Sequence, residues 1–250
     1  EMLRSLVGSE MCIRDRFTVL YQSRYDLLNA RVQAQQKQIA AIQEAINQKN
    51  LAQTQSQVEQ VQQQSQSAVK NPFIQKELDL NAQLSQYLLE QTAKTNTLTQ
   101  DELRMRNVLD NLTQTQRTID EQISALQGTL VLSRIIQQQK QKLPTNLNIQ
   151  GLSKQIADLR VKIFDITQKR NELYDIDAYI SKIEQDENKS FTPTEKAQLA
   201  SLLTERRKVA SDLIKSLNNQ LNLAISLELT QQQITQISCL LYTSPSPRDS

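Results

Sequence analysis

Histidine and tryptophan are absent from the 250 residues, and the chain holds only 3 Gly, 5 Pro and 2 Cys. Without His, neither a zinc site nor a Ser–His or Cys–His catalytic pair has its raw material. Three glycines cannot supply the tight turns of a β-sandwich or a glycine-rich phosphate loop. Aromatic residues at 4% and hydrophobic residues at 38% leave little to fill a broad core. No apolar run approaches the ~18 residues of a membrane span. The best candidate, 129–136, is interrupted by Ser133 and Arg134. What the chain has in abundance is glutamine, 38 residues, together with Leu, Ala, Lys, Arg and Glu. All of these form helices readily, so the shortage of apolar residues does not imply disorder. The composition predicts long, thin, polar helices.

Charge is balanced, with 29 basic and 27 acidic residues and the signs interspersed. A nucleic-acid partner is therefore not expected, since it would require a basic stripe. The nearest cluster, Arg206-Arg207-Lys208 beside Glu205, reads as a solvated helix face.

The two ends break the pattern. Residues 6–15 read LVGSEMCIRD and residues 239–249 read CLLYTSPSPRD. The second string back-translates to a DNA word whose reverse complement, read from its third base, encodes the first. One word in opposite orientations, as left by an inserted transposon end, accounts for both. Residues 1–16 and 239–250 are therefore expected to be adapter-derived tails, and 17–238 the body of the protein. Both cysteines, Cys12 and Cys239, fall inside these words. The body is then cysteine-free and carries no redox information.

Three prolines remain in the body, and each reads as a helix boundary. Asn71-Pro72 places an N-cap side chain before a proline at the first helical position. Thr192-Pro193-Thr194-Glu195 reads as a capping box, with Thr192 accepting from the Glu195 amide and the Glu195 carboxylate reaching back. Pro144 ends a helix ahead of an Asn-rich turn that runs to Gly151. Helices are predicted near 18–69, 72–142, 149–187 and 193–238. Unbroken, the second would span roughly 100 Å at ~1.5 Å per residue.

Apolar residues recur at spacings of three and four. The cleanest stripe is Leu152, Ile156, Leu159, Ile163 and Ile166, then a gap at Arg170, then Leu173. A second runs from Met105 through Leu109, Leu112, Ile119 and Ile123 to Leu126 and Leu130. The fourth helix is looser, with Leu199, Leu202, Val209, Leu213, Leu223, Leu227, Ile234 and Ile237, and with Arg206, Ser216 and Gln220 in register. The first is weakest: Leu28, Val32, Ile39, Ile42 and Ile46, then mostly Gln to Lys70. A 3.5-residue period is that of a coiled-coil seam, and short connections favour antiparallel neighbours. The expected fold is all-α: an elongated antiparallel coiled-coil or helical hairpin bundle of long heptad-patterned helices. The pattern leaves open whether the seam closes within one chain or between chains.

Candidate chemistry is thin. Asp175 with Asp177, and Asp186 with Glu187, are paired carboxylates. Such a pair needs a concave, partly dry site to separate two pKa values, and a thin rod offers none. Tyr174 and Tyr179 near Phe164 read as seam or seam-flank packing. Lys140 and Lys142 read as complements to a helix dipole. No catalytic, cofactor-binding or metal-binding residue is assigned, no cofactor is expected, and an enzyme is not predicted.

Three blocks carry a resemblance: NPFIQKELDLNAQLSQYLLEQT, ISALQGTLVLSRIIQQQKQKLP and IADLRVKIFDITQKRNELYDIDAYISKIE. Over about 71–235, and more loosely over 24–70, the chain resembles the periplasmic porin-type helical domain of large mechanosensitive channels. These belong to the small-conductance mechanosensitive channel superfamily, and the likeness is to its potassium-dependent, MscK/KefA-type subgroup. The resemblance implies a periplasmic portion of a Gram-negative inner-membrane protein that releases ions and osmolytes under hypo-osmotic tension. It also implies self-association within a homo-oligomeric channel, leaves room for cell-wall or other periplasmic contact, and confines membrane contact to parts beyond this fragment. No pore or gating residue transfers onto any position here. The alternative is a free-standing periplasmic coiled-coil adaptor.

Overall fold

The computed structural model describes residues 2–66, 71–125, 137, 149–186, 188 and 190–243, and every regular element among them is helical. The five helices are α1 (Met2–Gln66), α2 (Pro72–Ala125), α3 (Leu152–Glu172), α4 (Ile176–Asp186) and α5 (Pro193–Thr243). The all-α bundle expected from the composition is what the chain forms. The Pro144 boundary, Lys140 and Lys142, and the apolar residues Leu126 and Leu130 lie outside the described residues.

Two compact units divide the chain, residues 1–49 and residues 50–250. The first is a length of α1 alone. Its heptad stripe is solvent-exposed: Leu28, Val32, Ile39, Ile42 and Ile46 each keep at least 46% of their surface.

The second unit holds the core. The starts of its helices follow cap chemistry. The Phe73 amide donates to Asn71 Oδ1 at 2.9 Å, with Pro72 at the first helical position. At α5 the Thr192 amide and hydroxyl both donate to Glu195 Oε2, at 2.9 and 2.8 Å, and the Glu195 amide reaches Thr192 Oγ1 at 3.4 Å. The Gln-rich end of α1 stays helical to Gln66, and Val58 and Val61 are buried.

Where one helix was expected near 149–187, the chain forms two. The Leu173 amide bonds back to the Arg170 carbonyl and that of Tyr174 to the Asn171 carbonyl, ending α3. Asp175 Oδ1 then accepts from the Ala178 amide and caps α4. Asp175 and Asp177 are thus a helix cap and a first-turn acid, both suited to a helix N-terminus. At the other end of α3, Gly151 precedes the helix with φ +82°, a left-handed conformation that an L side chain rarely adopts.

Helix directions follow from the cross-links. Hydrogen bonds join Asn71 to Glu195, Asn81 to Leu202, Thr95 to Ser216 and Glu102 to Ser226, both numbers rising together. α2 and α5 are therefore parallel. α3 runs against α5: the Ile149 amide reaches Gln231, Ser153 reaches Glu228, and Arg207 reaches the Tyr174 carbonyl. The C-terminal part of α1 runs against α2: Ser65 bonds Gln75 and Asp79, while residues 54–61 line a cavity with Ser85 and Leu88 further along α2. α2 and α3 are therefore antiparallel to each other. α2 and α5 are parallel because the chain reverses twice between them, once between α2 and α3 and once between α3 and α5.

The core lies in three successive clusters. Ile74, Leu78, Leu173, Ile180, Phe191, Leu199, Leu202 and Leu203 form one. Leu88, Leu159, Leu213 and Leu217 form the next. Leu98, Met105, Leu112, Ile119, Leu152, Ile156, Ala224, Leu227 and Ile234 form the third. On α2, Leu98, Met105, Leu112 and Ile119 recur every seven residues, the signature of a coiled-coil seam.

Candidate functional site

The most distinctive chemistry of the second unit is polar and buried. It runs along the contact between α2 and α5 as a ladder of cross-helix ties. The first rung joins the two caps: Asn71 Nδ2 donates to Glu195 Oε1 at 2.7 Å. Glu195 thus serves its own helix and the start of α2. These bonds, from Asn71 first and then the Thr192 amide and hydroxyl, hold its carboxyl below the usual range. Nearby, Lys196 pairs with Glu184 at 2.9 Å, and the Phe191 amide donates to the same carboxylate. The Lys196 bond, then the Phe191 bond, likewise lower Glu184.

The second rung is an ion pair. Arg206 Nη2 lies 2.6 Å from Glu77 Oε2, with side-chain exposures of 15% and 9%. Arg206 also donates through Nε to Asn81 Oδ1 at 2.8 Å and through Nη2 to the Glu77 carbonyl at 3.0 Å. Asn81, itself buried, completes the knot by donating to the Leu202 carbonyl at 2.9 Å. Arg206 is therefore no solvated face residue. Its position in the α5 register puts it between helices, where its Nε and Nη2 groups meet acceptors of α2. Tyr179 from α4 stands beside this pair. Burial, and then the charge of Glu77, raises its pKa.

Further along, Gln220 and Gln91 are both buried, and Gln220 Nε2 donates to the Gln91 carbonyl at 2.9 Å and to its Oε1 at 3.3 Å. Thr95 and Ser216 hydroxyls meet at 3.1 Å. Ser226 donates to Glu102 at 3.1 Å, and Arg106 neutralises that carboxylate from one turn on. Across the ladder the paired residues differ in number by 121 to 129. The offset scatters over about a heptad but does not drift from Asn71 to Glu102, so the two parallel helices stay in step over several turns. A polar group inside a coiled-coil seam costs stability and fixes register, because any slip leaves it unpaired.

The gaps noted at Arg206, Ser216 and Gln220 thus form three of the rungs. What sequence reasoning missed is their partners on α2, Glu77, Asn81, Gln91 and Thr95, and the separate rung of Glu102 with Ser226. The signal was present, since Asn81, Gln91 and Glu102 fall on the buried stripe of α2. The seam-flank packing expected of the aromatic residues is found for Tyr179, which packs against the first core cluster, but not for Tyr174 or Phe164. Tyr174 and Phe164 are 85% and 61% exposed, and the ring contact found is Phe73 with Phe191, centroids 5.4 Å apart.

Concave surface is sparse. A cavity of about 340 Å³ opens between α2, α3 and α5, and another of about 130 Å³ lies among 54–61 of α1, α2 and α5. Among the described residues no group of His, Cys, Asp or Glu is placed to hold a metal, and no helix is long and apolar enough to cross a membrane.

Comparison with known proteins finds mechanosensitive channel proteins. Residues 10–76 match the model of the mechanosensitive ion channel porin domain. The chain is 78% identical over 224 residues to an uncharacterized MscS family protein of Haemophilus influenzae, covering 90% of this chain and 20% of that one. It is 34% identical over 219 residues to the mechanosensitive channel MscK of Escherichia coli, covering 87% of this chain and 20% of that one. The chain spans about a fifth of the length of these curated relatives. The chain is thus similar to MscS family proteins over most of its own length, and residues 10–76 to the porin domain of mechanosensitive ion channels.

Proposed function

We propose that this chain is the periplasmic helical region of a homo-oligomeric mechanosensitive channel, and that the whole protein releases ions and osmolytes when membrane tension rises in hypo-osmotic shock. The family match supports the channel reading, and the fragment contributes no pore. Its own role is structural: α2 and α5 form a parallel strut whose polar rungs resist sliding. The observation that carries this is that the ties from Asn71–Glu195 to Glu102–Ser226 keep the two helices in step. A strut of this kind suits a spacer, an oligomerisation element or a contact to the cell wall. It gives no support to an enzymatic role.

The body is proposed to be 17–238. An aligned length of 224 residues is close to that span, although the family match starts at residue 10. The test uses the full-length Haemophilus relative in spheroplasts under patch clamp. Removing the segment equivalent to 17–238, or replacing the Arg206 equivalent with Ala, is expected to shift the pressure threshold for opening. An unchanged threshold, with unchanged subunit assembly and wall association, would sink the strut reading.

A further inference from the structure

The cavity between α2, α3 and α5 has a composition that the fold does not need. Leu80, Leu84, Tyr87, Ile166, Leu173 and Leu213 provide apolar wall, while Lys169, Arg170 and Arg206 provide the charged groups. No carboxylate lines it. Arg206 is already neutralised by Glu77. Lys169 and Arg170, in the last turn of α3, take part in no ion pair among the described residues, and the guanidinium of Arg170 bonds only its neighbour Asn171. Their position partly suits the helix dipole, but that does not explain the apolar wall beside them. Leu80 lines the same space and is 40% exposed. The smaller cavity makes the contrast: Lys208 there is joined by Glu205 and Asp212, so its charges are mixed.

We propose that the groove between α2, α3 and α5 is a binding site for a single-chain fatty-acid carboxylate. The acyl chain lies along the leucine wall, and the head group meets Lys169 and Arg170. Apolar walls with a few convergent polar groups are the general make-up of small-molecule sites, and about 340 Å³ falls within their size range. Taking a methylene as about the ~30 Å³ of a water molecule in the liquid, the space holds roughly eleven carbons. That fits one medium-length chain and excludes a two-chain phospholipid. Uncompensated cations select a charged head over a neutral one, because carboxylate hydrogen bonds to Arg and Lys are the strong, charge-assisted kind.

The experiment is isothermal titration of the 250-residue chain with dodecanoate below its micelle concentration, with dodecan-1-ol and a dioleoyl phosphatidylglycerol vesicle as parallel probes. One dodecanoate per chain is expected, with binding weakened by high salt. Lys169→Gln with Arg170→Gln should weaken it at least about tenfold, one neutralised head-group contact being worth about that much. Leu84→Trp should block it by filling the wall, and both variants should keep the helical circular dichroism of the parent. Dodecan-1-ol binding as tightly as dodecanoate would overturn the proposal. So would dodecanoate binding that is unchanged in the double variant, or binding seen with vesicles but not with dodecanoate. If Leu84→Trp loses helicity, Ile166→Trp from the opposite wall replaces it, and undiminished binding there also counts against the site.

Discussion

At the scale of the residue, the decisive feature is a charge where a solvated face was expected. Arg206 and Glu77 are largely removed from water and paired with each other, and Asn81 accepts a further bond from Arg206. Removing one partner strands the second, which in buried pairs costs about 3–5 kcal/mol, whereas replacing both with apolar residues is often neutral or better. Arg206→Met alone is therefore expected to lower the urea midpoint strongly, and Glu77→Leu with Arg206→Met to recover most of the loss. A double variant as unstable as the sum of its parts would mean the pair is not coupled. Glu195 and Glu184 make a second prediction. Both have folded pKa values depressed below the ordinary 4.5 by hydrogen bonds to the charged form. A depressed carboxylate binds its proton less readily in the folded state, so its contribution is complete above about pH 4.5 and is lost as pH falls through the lower, folded value. Acid titration followed by NMR at the Thr192 and Phe191 amides should show those bonds releasing below that pH, and Glu195→Gln should remove the Thr192 transition. The same transition in the variant would assign it to another group.

At the scale of the element, the register of α2 against α5 is the property to test. Gln220 and Gln91 are fully buried, yet the Gln91 Nε2 finds no hydrogen-bond partner in the structure, so this rung is costly. Converting both to Leu is expected to raise stability and to permit a heptad slip. With Cys12 and Cys239 replaced by serine, Thr95→Cys with Ser216→Cys should form a disulfide, since those hydroxyls are 3.1 Å apart. Thr95→Cys with Val209→Cys, one heptad away, should form one only once the glutamines are gone. Cross-linking of both pairs in the parent would show that the ladder fixes nothing. The limits of sequence reasoning also belong to this scale. Helix starts at Pro72 and Pro193 were legible because capping is local chemistry, and the α3 stripe was legible because α3 shows one face to the core. The full core of α5 was not: Leu203, Ala210, Leu217 and Ala224 are buried although a single heptad stripe passes them by. α5 is covered by α2 and α3 together, so its buried face is wider than one seam. The parallel pairing was hidden for a related reason, because Glu77, Asn81 and Gln91 have no visible partner until a helix more than a hundred residues away is laid beside them. The break at 173–175 hid behind a stripe that runs up to Leu173 and a helix cap, Asp175, that resembles half of a carboxylate pair.

At the scale of the whole molecule, the two units differ in what holds them. Residues 50–250 contain all three apolar clusters, with Leu199, Leu203, Leu213, Leu217 and Leu227 fully buried. Within 1–49, Asn47 is the one described residue that is buried, and the apolar stripe from Leu28 to Ile46 is exposed. Helical propensity alone holds a helix only marginally, because nucleation is costly and most helical stability in proteins comes from packing an apolar face. Amide hydrogen exchange reads this directly, since opening without a core costs little while opening of core helices approaches the global unfolding free energy. Amides of 24–46 are expected to exchange within seconds to minutes in dilute solution. Those of 199–227 should be slower by several orders of magnitude and should exchange only with global unfolding, the difference following the buried area each segment would expose. Because exposed stripes of this spacing are also competent to pair with a like helix, protection of 24–46 should rise with protein concentration while that of 199–227 stays constant. Equal protection of the two segments at low concentration would mean that 24–46 draws its stability from contacts along its polar face, and the division into a packed unit and an unpacked helix would fail.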